Sequence, residues 1–270
     1  MVVYFTNQCR LAYADDIDII SRSPKSLQEA TIAMNRAARR MGLEINQAKT
    51  KYIICGMKKK YIENVFKVKH MTFERVNSFV YLGTLITADN NTSAEINNRI
   101  TLANRSYFGL VNILKAKNIN RKYKVIIYYK TLIKPVLTYG VETWVLSKVD
   151  ELCLGVFERK ILRRIYGPIC EGVTWRSRYN EELYCLYDET DLVITIRITR
   201  LRWAGHTVQM QDNLPCKKIT LDKPEGRRQV GMGGVMRDAE RLGVRNWRIK
   251  AKDRDGWRRL VGSAKTLHAL

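Results

Sequence analysis

The 270-residue chain carries 48 Lys and Arg against 26 Asp and Glu, a formal net charge of +22, which exceeds what solubility asks for and points to a polyanionic partner. Hydrophobic residues make up 46%, enough to fill one large or two ordinary cores, and this excludes a compositionally disordered chain. No run approaches the roughly 18 apolar residues of a membrane-spanning helix, the first ten residues lack the pattern of a secretory leader, and the six cysteines form no close pair; the expectation is an intracellular protein, in nucleus or cytoplasm, with no membrane partner and no disulfide frame.

Residues Arg10 to Ile20 set Asp15 and Asp16 between two short apolar runs. Adjacent carboxylates there need compensation, and a divalent cation is the usual source. The pattern predicts a β-hairpin with strands over 11–13 and 17–20 and a tip over 14–16. Neighbouring strand residues point to opposite faces, so a turn is what lets both carboxylates approach one ion. Asp18 shares a strand face with Asp16 and adds charge there without forming an opposing wall; a solvated edge residue is its other reading.

Ser23 then caps a helix with Pro24 at its first position, and Leu27, Ala30, Met34, Ala37 and Met41 recur at spacings of three and four before Gly42 stops it. This helix is expected to cover one sheet face. A strand is expected over 52–56, followed by a basic turn at Lys58, Lys59 and Lys60, read as a solvated hairpin end with contact to a phosphate as the alternative. Residues 88–92 are a loop by composition. Thr92 and Glu95 fit a capping box, and the helix that follows puts Ile96, Ile100, Ala103, Tyr107, Leu110 and Leu114 on one stripe over about 25 residues, close to 37 Å.

Lys115, Lys117, Arg121, Lys122 and Lys124 cluster in the turn to a second helix over 121–134, which Pro135 is expected to halt. Residues 158–166 form a basic amphipathic helix in which Arg159, Lys160, Arg163 and Arg164 alternate with apolar residues. Arg197, Arg200 and Arg202 repeat the theme before Trp203, which reads as core in preference to a base-stacking platform. Residues 223–234 read as a flexible loop with Gly233 in a turn, and Trp247 and Trp257 as core anchors of a small helical domain. Cys170, Cys185, His206 and Cys216 have zinc-ligand chemistry but not the paired spacing of structural sites, and His206 is expected to pack beside Trp203. The charge is uneven: residues 101–270 hold 33 basic and 17 acidic side chains, the first hundred 15 and 9.

Tyr13-Ala14-Asp15-Asp16 resembles the Tyr-x-Asp-Asp hairpin of reverse transcriptases of non-LTR, LINE-type retrotransposons. Gly42-Leu-Glu-Ile-Asn46 with Lys49-Thr-Lys51 resembles the next palm element of those polymerases, and Phe79-Val-Tyr-Leu-Gly-Thr-Leu-Ile86 the strand pair that grips the primer. Lys134-Pro135-Val-Leu-Thr-Tyr139-Gly140-Val-Glu142-Thr-Trp144, Leu201-Arg-Trp203-Ala-Gly205-His206 and Leu242-Gly243-Val-Arg-Asn-Trp247 are similar to the region after the palm, so almost the whole chain is covered.

The resemblance implies an α+β fold: a partial polymerase palm of β-hairpin, helix and strands over 1–91, a mainly helical thumb over 92–168, and a small, helical, basic C-terminal domain over 169–270. It makes Asp15 and Asp16 the catalytic carboxylates and Mg2+ ligands. Tyr13, Lys49, Lys51, Leu82 and Gly83, with Lys115, Lys117, Arg121, Lys122, Arg163 and Arg164, become contacts to RNA and DNA as a primer–template duplex. In the family another Asp, on an upstream strand, completes a site whose two ions sit about 3.5–4 Å apart. No Asp or Glu precedes Asp15. The expectation is therefore a retrotransposon-derived fragment of an RNA-directed DNA polymerase with a truncated palm, binding nucleic acid and inactive alone, with a partner chain as the source of the missing palm and fingers. The alternative is a host-recruited, non-enzymatic nucleic-acid-binding or assembly module.

Overall fold

The computed structural model describes residues 3–5, 8–55, 64–214, 216–217, 230–241 and 243–263. Helices and small sheets are mixed, an α+β chain, and the contacts divide it into two units, Met1–Asn91 and Thr92–Leu270.

In the first unit β1 (Val3–Phe5), β2 (Gln8–Tyr13) and β3 (Asp16–Ser21) form an antiparallel sheet in the order β1-β2-β3. Tyr13 pairs with Asp16 across the β2–β3 ladder, so the tip is two residues, Ala14 and Asp15, one shorter than expected, and Asp16 already belongs to the strand. Ala14 takes a left-handed φ of 52°, a conformation that two-residue hairpin loops demand and that side chains rarely adopt. The helix α1 (Pro24–Arg40) starts as its cap predicts: the Ser23 hydroxyl accepts from Ser26 N–H, and Pro24 stands in the first turn where no donor is lost. It packs on β2, β3 and β5, burying Ala30 and Thr31.

A second sheet, β4-β6-β5, pairs β5 (Val65–Val68) antiparallel and β4 (Lys51–Tyr52) parallel with β6 (Met71–Arg75). Of the strand expected over 52–56 only Tyr52 lies in β4, which begins one residue earlier, and its carbonyl accepts from Val76 N–H just past the end of β6; residues 53–55 are not in a strand, and Gly56 lies outside the described residues. Lys58, Lys59 and Lys60 lie outside the described residues. Val68, Met71 and Phe73 form the small core with Ile32, Ile45, Tyr52 and Phe66 against it. The hairpin β7 (Ser78–Tyr81) to β8 (Thr84–Thr87) turns through Leu82 and Gly83, both at positive φ (46° and 80°), as a type I′ turn requires.

The second unit begins with α2 (Thr92–Lys115), whose predicted stripe is the buried one: Ile96, Ala103, Tyr107 and Leu114 enter the core, with Ile100 and Leu110 packed against it. A continuous helical path follows: α3 (Arg121–Tyr123), a π-helix (Lys124–Ile133) and α4 (Lys134–Leu137). Pro135 does not halt it. Lys134 N–H bonds to the Tyr129 carbonyl five residues back, and the ladder, widened by one residue, lets the proline take the first turn of a new α segment, where its missing N–H costs nothing.

After α5 (Lys148–Tyr166), capped by Ser147 and Asp150, come the hairpin β9 (Ile169–Glu171) and β10 (Thr174–Arg176), α6 (Asn180–Tyr187) and α7 (Leu192–Gln209). α7 is apolar on more than one side and serves two cores. Leu192 and Ile196 join the cluster of α2, the π-helix and α5, whereas Ile198, Leu201 and Ala204 join Val235, Ala239, Trp247 and Trp257.

Three expectations change here. Gly233 and Gly234 lie in the helix Val230–Arg241, where a Cβ on Gly234 would come within 3.1 Å of Arg200 Nη1. Arg197 and Arg200 are buried in ion pairs with Glu151 and Asp238, so they face no ligand. Trp203 is 38% exposed beside His206; the buried indole in this core is that of Trp257, which packs over Gly205 and whose Nε1–H donates to the Leu201 carbonyl at 3.1 Å.

Candidate functional site

Two places gather residues with chemistry to offer, one in each unit. The first is the β2–β3 tip. Tyr13 is 69% exposed, and Asp15 and Asp16 stand in solvent beside it. Asp18, on the Asp16 face of β3, is half-buried, and burial pushes its carboxyl up, the Ile19 backbone pulling it part of the way back. Burial and then the charges of Asp18 and Asp16 raise the Tyr81 phenol, and burial with the Asp18 charge raises the Cys55 thiol. The hairpin carrying Leu82 and Gly83 therefore has its Tyr81 within Coulomb range of the acidic strand.

The two predicted cations of this unit differ in their surroundings. Lys51 donates to Glu74 at 2.6 Å, a contact that holds the Glu74 carboxyl below its usual range. Lys49 is exposed in the turn that follows Asn46, whose Oδ1 accepts its backbone N–H. A hard divalent ion takes six or more oxygens, and a two-ion site draws carboxylates from separate strands. Among the described residues no group of three or more His, Cys, Asp or Glu comes together to hold a metal. Asp15 and Asp16 supply oxygen donors of the right kind but do not by themselves fit an Mg2+ site.

The second place is a pocket of about 620 Å³ in the other unit. Its walls bring together sequence clusters some forty residues apart: Lys115 and Lys117 at the end of α2, Arg121 and Lys124 at the next helix start, and Lys160, Arg163 and Arg164 on α5. Spacings of three and four put the α5 cations on one face. Lys122, one residue beyond Arg121, is exposed outside the lining. Lys160 and Lys124 complete the ring of charge, and Tyr107 and Tyr166 are walls that composition gave no reason to single out.

Several of these cations are held in place by neutral partners. Arg163 donates to Asn180 Oδ1 at 2.8 Å, Arg164 Nε to the Tyr107 hydroxyl at 3.2 Å, and Lys160 to Asn104 Oδ1 at 2.9 Å, with its ammonium 4.8 Å from the Tyr107 ring centroid. Lys124 donates to the Ala116 carbonyl; burial, reinforced by the Arg121 charge, lowers its pKa. No carboxylate lines the pocket, and among the described residues none of the seven cations is in an ion pair. Cys170, Cys185 and Cys216 are exposed thiols, apart from this pocket's lining. No described helix is long and apolar enough to cross a membrane.

The acidic hairpin after Tyr13, the helix that follows it, the three-stranded sheet and the type I′ hairpin all fall in one matched segment: residues 4–86 match the family model described as reverse transcriptase (RNA-dependent DNA polymerase). Over 266 residues, 93% of this chain and 94% of the relative, the sequence is 26% identical to an uncharacterized transposon-derived protein of Caenorhabditis elegans. The first third of the chain is thus similar to reverse transcriptases, and nearly its whole length to a transposon-derived protein. No solved structure matches it.

Proposed function

We propose that this chain is a nucleic-acid-binding protein of reverse transcriptase origin that does not extend a primer by itself. The observation that carries the reading is the acidic tip: it presents Asp15 and Asp16 to solvent inside the family-matched segment, with no third metal-binding side chain grouped with them among the described residues. In this reading residues 1–91 are palm-like, 92–168 thumb-like and 169–270 a basic C-terminal part. Asp15 and Asp16 are the catalytic pair, and they coordinate Mg2+ only when further oxygen donors, such as a partner chain would bring, reach the tip. When bound there, Mg2+ would stabilise charge developing on the transferred phosphoryl group. Tyr13 and the Leu82–Gly83 turn then meet the primer–template, Lys49 adds a phosphate contact, and Lys51 stays committed to Glu74.

The second unit contributes phosphate contacts through its basic pocket, with Lys122 beside it; such contacts position a duplex without reading its sequence. The unpaired cations also favour the alternative, a host-recruited binding module in which the acidic tip has no role. Primer extension separates the two. Incubated with primer–template, deoxynucleotides, Mg2+ and no other protein, the purified 270-residue chain is expected to shift the duplex in a gel and to add no nucleotide. Incorporation above that of a heat-inactivated control, lost in Asp15→Asn, would overturn the inactivity and make the tip a working centre.

A further inference from the structure

We propose that the pocket between α2, the helix starting at Arg121 and α5 is a receptor for a phosphomonoester, the terminal phosphate of a nucleic acid strand; this rests on the nucleic-acid reading for the source of the ligand. Electrostatics carries the first step. Seven cations share one cavity of about 620 Å³, with no carboxylate in its walls. Like charges held this close repel one another, and an anion of high charge density relieves more of that repulsion than a singly charged one. A phosphate monoester carries about −1.5 to −2 near neutral pH, while each backbone diester carries one charge.

Shape carries the second step. A duplex backbone is convex and meets a protein along a line of phosphates, so its diesters reach the rim of a cavity more readily than its floor. Here the lining includes the buried side chains of Tyr107, Leu114 and Ile165 together with cations from three separate stretches of chain. A volume of this size suits a single nucleotide. Preorganisation is the third step: the Arg178 carbonyl and Asn180 Oδ1 take the Nε and Nη2 donors of Arg163, Tyr107 takes one donor of Arg164 and Asn104 one of Lys160, which fixes those side chains and leaves Arg163 Nη1 and further N–H groups of Arg164 and Lys160 for a phosphate.

The test uses the full chain and a short single-stranded oligonucleotide, labelled internally, with either a phosphate or a hydroxyl at the 5′ end, and a third version with a 3′ phosphate. Anisotropy titrations at about 0.15 M salt are expected to show at least about tenfold tighter binding of a terminally phosphorylated strand, an advantage that inorganic pyrophosphate removes by competition. The double variant Lys115→Gln/Lys117→Gln, changed only at the exposed end of α2, is expected to cut the advantage below about threefold with Tm unchanged; Lys160→Gln is read in the same way should the first variant unfold. Equal affinity for phosphate and hydroxyl ends overturns the inference and leaves the nucleic-acid reading standing. Failure of every strand to bind overturns both. Binding of pyrophosphate with no strand-end preference would make the pocket a small-anion site, and an advantage that survives in folded variants would place the receptor elsewhere; either result overturns the proposal.

Discussion

Asp18 shows how one carboxylate can be costly without being catalytic. Half-buried behind the tip, it has its pKa raised by burial, and its charge is felt by Tyr81 and Cys55. A carboxyl whose folded pKa lies above its unfolded value binds its proton more tightly in the folded state. Its favourable contribution is thus complete below the unfolded pKa, near 3.8, and is lost as pH rises through the folded value. Asp18→Asn should therefore make the first unit more stable than the parent at pH 7, with the gap closing as pH falls toward 4. Urea unfolding at the two pH values measures this, and a gap of equal size at both would rule out the charge as its cause. The sequence placed Asp18 on the Asp16 face by strand alternation alone; that its charge acts on Tyr81 and Cys55, from distant parts of the chain, is visible only in the folded unit.

At the scale of elements, Glu158 ties four of them together. It is fully buried on α5 and accepts from Tyr129 of the π-helix at 2.6 Å, from Tyr184 of α6 at 3.2 Å and from Leu192 N–H at the start of α7 at 2.9 Å. Burial raises its carboxyl against those bonds and the nearby Lys134 charge. Glu158→Ala leaves buried donors without an acceptor and should cost about 3 kcal/mol, whereas in Glu158→Gln the amide oxygen can take the Oε2 place for Leu192 N–H and Tyr184 while its NH2 donates to the Tyr129 hydroxyl oxygen, and the cost should fall to about 1 kcal/mol. Chemical unfolding followed by circular dichroism decides it; an Ala variant as stable as the parent would remove Glu158 from the joint. Helical periodicity made α2 legible, because its stripe is local to the element. The same reading stopped the next helix at Pro135, since nothing local announces the i to i+5 ladder that carries the path past it. It also put Gly233 in a turn, because the reason for small residues in that helix, the Arg200 guanidinium against Gly234, lies across the core.

For the molecule as a whole, a net charge of +22, with most of the excess beyond residue 100, predicts binding governed by counterion release. Affinity for duplex should fall steeply with salt, and Lys122→Gln and Arg163→Gln should each lower the slope of log K against log salt by about one. A salt-independent affinity would remove the phosphate-contact reading of both the pocket and Lys122. Local pattern was enough to determine the acidic hairpin, the capped α1, the buried stripe of α2, the basic helix on α5 and the likeness to reverse transcriptases. These depend on spacing along the chain, and spacing is written in the sequence. Tertiary structure alone decided which cations are available. Packing commits Arg197 and Arg200 to buried carboxylates and Lys51 to Glu74, and it draws Lys115, Arg121 and Arg163 onto one cavity. A basic residue looks the same in a sequence whether its partner is an acid across the core, the solvent, or six other cations around an empty volume, because that difference is fixed only when distant segments meet.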